Sequence, residues 1–278
     1  MFIKLDENQY SVVEELIYFA GYESVFAFAV TEKNIPGQIY VDDVTEPKSA
    51  LICSHHGKYL VIGDETNCDF NSAVTQFLLE KNNHIQFYDL YASSEEWIDV
   101  LSSSLNGQPA ILRFSVYYHN NAKALLNVED NRPLENGLEL KQIDEVLFEK
   151  IANEFDHSYR YHWTSALEFC AKSFGYCIIK DEEIISVASA TYNGNGYAEI
   201  DIQTRDDYQR NGLAYKLCSK FIEYCAEKDY IILWICNSFN KPSNELVKKL
   251  GLIKSKEVEM LWWHQSKGVM NSYLNKYN

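Results

Sequence analysis

Two short stretches carry residue types whose chemistry fits together. The first is Gln209-Arg210-Asn211-Gly212-Leu213-Ala214, which opens the segment YKLCSKFIEYCAEK. Leu213, Leu217, Phe221, Ile222 and Cys225 recur there at the spacing of one apolar helix face. A helix N-terminus presents unpaired N–H groups and about half a positive charge, so it attracts phosphate. Gly212 has no Cβ and lets a ligand approach the main chain, while small Ala214 keeps the second position narrow. Gln209 and Arg210 add donors suited to a pyrophosphate. The same residues also read as an ordinary start of a helix, and the pattern alone does not separate the two.

The second stretch, YAEIDIQT, lies just before it. Glu199, Asp201 and Gln203 alternate with Ala198, Ile200 and Ile202, which puts both carboxylates on one face of a strand. An amine resembling lysine has a pKa near 10, so attack at neutral pH needs a base or a desolvating pocket. Glu199 or Asp201 can take that proton, directly or through water; each can equally face solvent or form an ion pair.

The elements that hold these stretches read as follows. GLELKQI is a short strand, and DEVLFEKIANEF and HWTSALEFCAKSF are two helices. GYCIIK, IISVASATY and YAEIDIQT form a three-strand meander, with NGNG as a hairpin turn. After the helix that begins at Leu213 come the strand YIILWIC, the helix SNELVKKL and the strand EVEMLWW. The first half has its own helix at DENQYSVVEELIYFA, with Asp6 and Gln9 as a capping box. Strands at GQIYVDDV, SALICSH, YLVIGD, HIQFYDLY and AILRFSVYYH and helices at NSAVTQFLLEK and SEEWIDVLSSSL follow. The polar stretch VEDNRPLENGLEL, residues 128–140, reads as a boundary between domains 1–130 and 131–278. The fold class is α/β (α+β): a mixed, largely antiparallel sheet flanked by helices in the second half, preceded by a smaller α/β domain.

Composition narrows the function. A net charge of −15 argues against a nucleic-acid backbone as partner and favours cationic ligands. The seven cysteines form no Cys-x-x-Cys pair, which fits reduced thiols in a cytoplasmic protein. No apolar run has the ~18 residues needed to cross a bilayer, and the start MFIKLDENQY does not have the order of a signal peptide. His55 and His56 share a turn with no third ligand in view, so no metal is expected.

The order of these segments resembles the GNAT superfamily of acetyl-CoA-dependent N-acyltransferases, whose pyrophosphate loop is Q/R-x-x-G-x-G/A. GYCIIKDEEIISVASATY, AEIDIQTRDDYQRNGLA and NKPSNELVKKLGL look most like its zwittermicin A resistance-like subgroup. The resemblance covers residues 133–265 and extends weakly into the first half through GQIYVDDVTEPKSALI. It implies acetyl-CoA as co-substrate. The amides of Asn211, Gly212, Leu213 and Ala214 would hold the pyrophosphate, with Gln209 and Arg210 beside them. The main chain of Ile202, Gln203 and Thr204 would run along the pantetheine arm. Asn240 and Ser243 match an N-x-x-S stretch that contacts the cofactor, although both residue types also cap helices. Glu199 and Asp201 become the candidate catalytic bases.

Two departures stand out. Val247 occupies the position where many members carry a tyrosine acid, and Arg210 stands where many have glycine. Trp163 and Glu168 fall in the region where family members admit the acceptor, although Trp163 reads rather as a core residue. YLVIGDETNCDFNS has no second loop pattern, so the first half reads as a non-catalytic and diverged copy. The expected acceptor is a small-molecule amine, with no nucleic acid and no membrane as partner and a homodimer left open. The alternative is an acyl-CoA-binding sensor or interaction protein with little turnover.

Overall fold

The computed structural model describes residues 1–21, 25–126, 134–135 and 137–277. In chain order the elements are β1 Ile3–Lys4, α1 Glu14–Ala20, α2 Val25–Thr31, β2 Gly37–Val41, β3 Ser49–Ser54, β4 Lys58–Gly63, α3 Cys68–Leu79, β5 Phe87–Ala92, α4 Glu95–Ser104 and β6 Ala110–His119. They continue with β7 Leu138–Gln142, α5 Glu145–Glu154, α6 Tyr159–His162, α7 Ala166–Lys172, β8 Gly175–Lys180, β9 Glu183–Gly194 and β10 Tyr197–Thr204. The last are α8 Leu213–Glu227, β11 Ile231–Asn237, α9 Lys241–Lys249, β12 Ile253–His264 and α10 Lys267–Tyr277.

The chain forms two compact units. The first comprises Met1–Val116, Ile235–Lys241 and Lys256–Asn278; the second comprises Tyr117–Trp234 and Pro242–Ser255. In the first unit the strands run β1-β2-β3-β4-β5-β12-β6, and β4 pairs parallel with β5. Its core gathers Phe70, Trp97, Leu101 and Leu261, and the Trp97 Nε1–H donates to the Gly63 carbonyl at 3.1 Å. In the second unit the order is β11-β10-β9-β8-β7, antiparallel except for β10 with β11. Each unit thus contains a three-strand antiparallel meander, then a helix, then a strand parallel to the meander's last.

Local chemistry accounts for the meander of the second unit. Asn195 and Gly196, at φ 50° and 75°, turn β9 into β10, as the Asn-Gly pair predicts. Asp181 and Glu182, at φ 48° and 68°, turn β8 into β9. The helix face of α8 buries Leu213, Leu217, Phe221 and Cys225, and Phe174 stacks on Phe221 at 4.7 Å and on Tyr224 at 4.2 Å. Elsewhere in this unit Phe148, Tyr159 and Phe169, from α5, α6 and α7, pack ring to ring.

Several elements differ from the sequence reading, among them α2, a helix whose seven residues are all buried and which that reading does not name. The first helix splits into a 3-10 segment at Glu7–Val13 and then α1, although the Asp6 N–H donates to Gln9 Oε1 at 3.0 Å as a capping box requires. The helix expected over HWTSALEFCAKSF breaks at Trp163, which is extended at φ −136° and ψ 131°. Ser165 then caps α7 by accepting from the Glu168 N–H, a side-chain bond that competes with continuing the helix. A further difference is α10, which follows the last element read from the sequence and has no fully buried residue in the fold. The expected boundary at 128–140 lies largely outside the described residues.

Candidate active site

The site in the second unit begins with the strand that carries the carboxylates. β10 pairs with β11 from Tyr197–Ile231 to Glu199–Leu233, whereas β10 itself continues to Thr204. Among the described residues the two parallel strands therefore part company just after Glu199. On its other edge β10 pairs with β9, and the register shifts between Glu199 and Ile200: Glu199 faces Tyr192, while Ile200 faces Ala190. Thr191 is the extra residue of this bulge, a device that bends a strand and re-aims its side chains.

Residues directly opposite in an antiparallel pair project to the same face. Glu199 therefore shares a face with Tyr192, whose ring meets the His162 ring at 5.7 Å. Asp201 shares it with Ser189, whose hydroxyl is 2.8 Å from the buried Tyr159 hydroxyl. Glu199 is 8% exposed and Asp201 is open to solvent, so the two carboxylates meet different environments. Burial pushes the Tyr159 phenol well above its ordinary range; the Ser189 bond opposes this and the Asp201 charge adds to it. Tyr159, Ser189, Tyr192 and His162 escape sequence reading because only strand register and helix packing bring them to Glu199 and Asp201.

Beyond β10 the loop is tied to itself. Arg205 pairs with Glu183 at 2.6 Å and with Asp207 at 3.1 Å, and its guanidinium lies 5.5 Å from the Tyr208 ring. The Gln209 amide donates to the Thr204 carbonyl at 3.2 Å and to Asp206 at 2.8 Å, so it braces the loop. Ser186 Oγ donates to the Gln203 carbonyl at 3.0 Å and lies 2.6 Å from Thr204 Oγ1. Half-buried Ile202 lies opposite Ala188. Arg210 has φ 65°, a left-handed conformation at the position where the resemblance has glycine.

Gly212, at φ 79° and ψ 1°, is the N-cap of α8 and provides no side-chain cap. The first bond of the helix runs from the Lys216 N–H to the Gly212 carbonyl at 3.1 Å. The amides of Leu213, Ala214 and Tyr215 precede it, and the first turn holds no acidic residue. Exposed Asn211 stands directly before this end. An uncapped helix entry through a left-handed glycine, free of carboxylates in its first turn, fits a phosphate-bearing ligand such as coenzyme A.

The remaining candidates lie elsewhere. Ser243 Oγ accepts from the Trp234 Nε1–H at 3.0 Å, which ties α9 to β11. Asn240 falls in the Ile235–Lys241 segment of the first unit, where its N–H donates to the Asn237 carbonyl at 2.9 Å. Val247 is fully buried, and three residues earlier on α9 Asn244 Oδ1 accepts from the Tyr117 hydroxyl at 2.7 Å. Trp163 is a core residue packed on Phe169, and Glu168 is held by Thr164 and Lys172. Glu154, Phe155, Glu183, Gln203, Thr204 and Asp206 help line a cleft of about 470 Å³ at the end of β10.

Among the described residues no group of three or more His, Cys, Asp or Glu side chains is placed to hold a metal, and no helix is long and apolar enough to cross a membrane. Among the described residues no disulfide joins the seven cysteines, of which Cys68 and Cys170 are exposed and the others buried.

Comparisons with known proteins agree with this geometry. A family model described as GNAT acetyltransferase matches residues 17–261. A Bacillus subtilis (strain 168) protein described as uncharacterized N-acetyltransferase YdfB is 29% identical over 248 residues, covering 89% of this chain and 93% of that protein. The crystal structure of a GCN5-related N-acetyltransferase-like protein from Streptococcus suis has a TM-score of 0.72 at 20% identity, over 92% of this chain and 98% of that one. A tandem GNAT protein from the clavulanic acid biosynthesis pathway has a TM-score of 0.61 at 11% identity, over 96% of this chain and 98% of that one. The two structures speak to the fold, and the family model, which runs through both units, speaks to membership: the chain belongs to the GNAT acetyltransferase family.

Proposed function

We propose that the protein is an N-acetyltransferase that moves the acetyl group of acetyl-CoA to a primary amine of a small molecule. The observation that carries this reading is the uncapped N-terminus of α8, which follows a carboxylate-bearing strand that diverges from its parallel neighbour. Acetyl-CoA supplies an activated thioester carbonyl. The amides of Asn211, Gly212, Leu213 and Ala214 hold its pyrophosphate, Arg210 adds charge beside them, and Gln209 keeps the loop in shape. The main chain of Ile202, Gln203 and Thr204 lies along the pantetheine arm, with Ser243 as a further contact.

Glu199, buried and on the same face as Asp201, takes the proton from the attacking amine. Asp201 is the second base. The acidic side chains Glu154, Glu183 and Asp206 around the cleft favour an ammonium-bearing acceptor. By its resemblance to the zwittermicin A resistance-like subgroup, the acceptor is an amino-bearing antibiotic or a similar compound. The second unit, Tyr117–Trp234 with Pro242–Ser255, is the catalytic part and the first unit a non-catalytic one. The protein acts in the cytoplasm on its own or as a homodimer, without nucleic acid, membrane or metal.

The test is release of free thiol from acetyl-CoA across a panel of primary amines, with Glu199→Gln and Asp201→Asn assayed in parallel. Steady thiol release with at least one amine is expected, and Glu199→Gln should lower kcat by about 10²-fold or more. Tight binding of acetyl-CoA without turnover on any amine would instead establish an acyl-CoA sensor. Wild-type rate and pH dependence in both variants would remove the base assignment.

A further inference from the structure

A second pocket, of about 240 Å³, lies within the first unit. It combines aromatic and aliphatic side chains in its walls with a pair of opposite charges. The walls come from Ile111 on β6, Phe239 in the segment after β11, and Tyr273, Leu274 and Tyr277 on α10. The Tyr273 ring packs against Trp262 at 4.7 Å and against Tyr277 at 4.9 Å, so the aromatic surface is continuous. Ile111 and Phe239 are 51% and 58% exposed, an unusual placement for large apolar side chains that share one pocket.

Polar groups converge on the same space. Arg113 Nη2 and Glu259 Oε1 lie 3.1 Å apart, with side chains 53% and 39% exposed. Asn237, which is 5% exposed, is built into the floor. Its Oδ1 accepts from the Phe239 N–H at 2.9 Å, and its Nδ2 donates to the Tyr273 hydroxyl at 3.4 Å. The amide thus fixes two of the aromatic walls. Helix α10 supplies three lining residues while burying none completely, so much of the apolar contact it can make is left for something else to fill.

The pairing of these features selects a ligand. A neutral aromatic molecule would use the walls and leave both charges where they are. A simple ammonium or a simple carboxylate would match one member of the pair and meet repulsion from the other. An α-amino acid carries an ammonium and a carboxylate a few ångströms apart on an apolar body, and it can satisfy Glu259 and Arg113 together. An exposed ion pair contributes little by itself, so opening it to admit such a zwitterion costs little. We propose that the pocket between β6, β12 and α10 binds an aromatic or large apolar α-amino acid, with its carboxylate on Arg113, its ammonium on Glu259, and its side chain against Phe239, Tyr273 and Tyr277. This site does not depend on acetyl transfer, because it is defined by residues of the first unit alone.

Calorimetry on the full chain, without acetyl-CoA, tests the proposal with L-phenylalanine, phenethylamine and 3-phenylpropanoate as probes. L-Phenylalanine should bind, and the two singly charged analogues should bind about 10-fold more weakly or worse. Arg113→Ala and Glu259→Gln should each raise the L-phenylalanine Kd by about 10-fold, because each leaves one ligand charge unmatched. Ile111→Trp, at an exposed position, should fill the pocket and abolish binding while leaving the melting temperature near wild type. No heat with L-phenylalanine at millimolar concentration would overturn the proposal. Equal affinity for all three probes, or binding that survives Ile111→Trp, would overturn it as well.

Discussion

At the end of β4 the chain of the first unit turns through Gly63 and enters α3 with Asn67 as N-cap. The Asn67 side chain accepts from the Phe70 N–H at 3.1 Å, and Asp69 occupies the second helical position. A Cβ at Gly63 would sit 1.9 Å from the Lys48 carbonyl, so this turn is packed against its own chain. At the end of β10 the second unit makes the same connection with Gly212 as N-cap, no side-chain cap, and Ala214 at the second helical position. One helix end is capped by a side chain and carries a carboxylate; the other has neither side-chain cap nor carboxylate in its first turn. The two junctions show how one connection becomes structural or ligand-binding through the cap and the second residue of a helix.

The strands beneath these junctions differ in parallel fashion. β4 and β5 pair from Lys58–Asp89 to Val61–Ala92, which sets a cation directly opposite an anion. β10 and β11 pair only as far as Glu199–Leu233, with an apolar residue across from the carboxylate. Burial pushes the Asp89 carboxyl up to about 6, an effect that Lys58 opposes. With a folded pKa above its unfolded value of 3.8, Asp89 binds more protons in the folded state between those two values. Its contribution is therefore favourable below pH 4 and is lost as pH rises towards 6, by about 2–3 kcal/mol in all. Urea unfolding from pH 4 to 7 should show this loss, and Asp89→Asn should flatten it. Identical slopes for the two proteins would break this part of the comparison.

Exchanging the second helical residues is the next strongest test. Ala214→Asp gives α8 the carboxylate that α3 already has. It should weaken coenzyme A binding by about 10-fold, equivalent to about 1.4 kcal/mol, while stabilising the helix by a few tenths. Unchanged affinity by calorimetry would mean that phosphate is not held at this end. Removing the cap of the other helix is the matching control. Asn67→Ala should cost about 1 kcal/mol of stability in urea unfolding and leave coenzyme A affinity at its wild-type value.

Much of this arrangement is legible in the sequence because its signals are local. Asn195-Gly196 specifies its own turn, and the spacing of Leu213, Leu217, Phe221 and Cys225 specifies the face of α8. Gly212 is the N-cap of α8, directly before the first residue of the apolar helix face. Other features depend on register and packing. The Tyr192–His162 contact exists because the bulge at Thr191 sets Tyr192 across from Glu199. Tyr159 reaches Ser189 through the packing of α6, a helix too short to announce itself by periodicity. Gln209, a phosphate donor by residue type, turns its amide onto Asp206 and Thr204 because carboxylate and carbonyl acceptors lie within its own loop. In α10 the apolar residues Val269, Met270, Tyr273, Leu274 and Tyr277 recur at helical spacing, so this element too is legible from local pattern.

Arg210 gives the finest test of the difference between the two junctions. Its φ of 65° costs a side-chain-bearing residue about 1–2 kcal/mol, and glycine adopts that conformation freely. Glycine also gains entropy in the unfolded chain, which returns about 0.5–1 kcal/mol of that advantage. Arg210→Gly should therefore stabilise the protein by about 0.5 kcal/mol in urea unfolding. A strained arginine beside the open end of α8 is accounted for if its charge acts on the bound phosphates. In that case Arg210→Gly raises the coenzyme A Kd about 3-fold at low ionic strength, and the difference shrinks at high salt as the charge is screened. A variant that is more stable and binds coenzyme A as well as wild type at every salt concentration would show that the loop tolerates the arginine without using it. The open junction would then rest on Gly212 and the α8 amides alone.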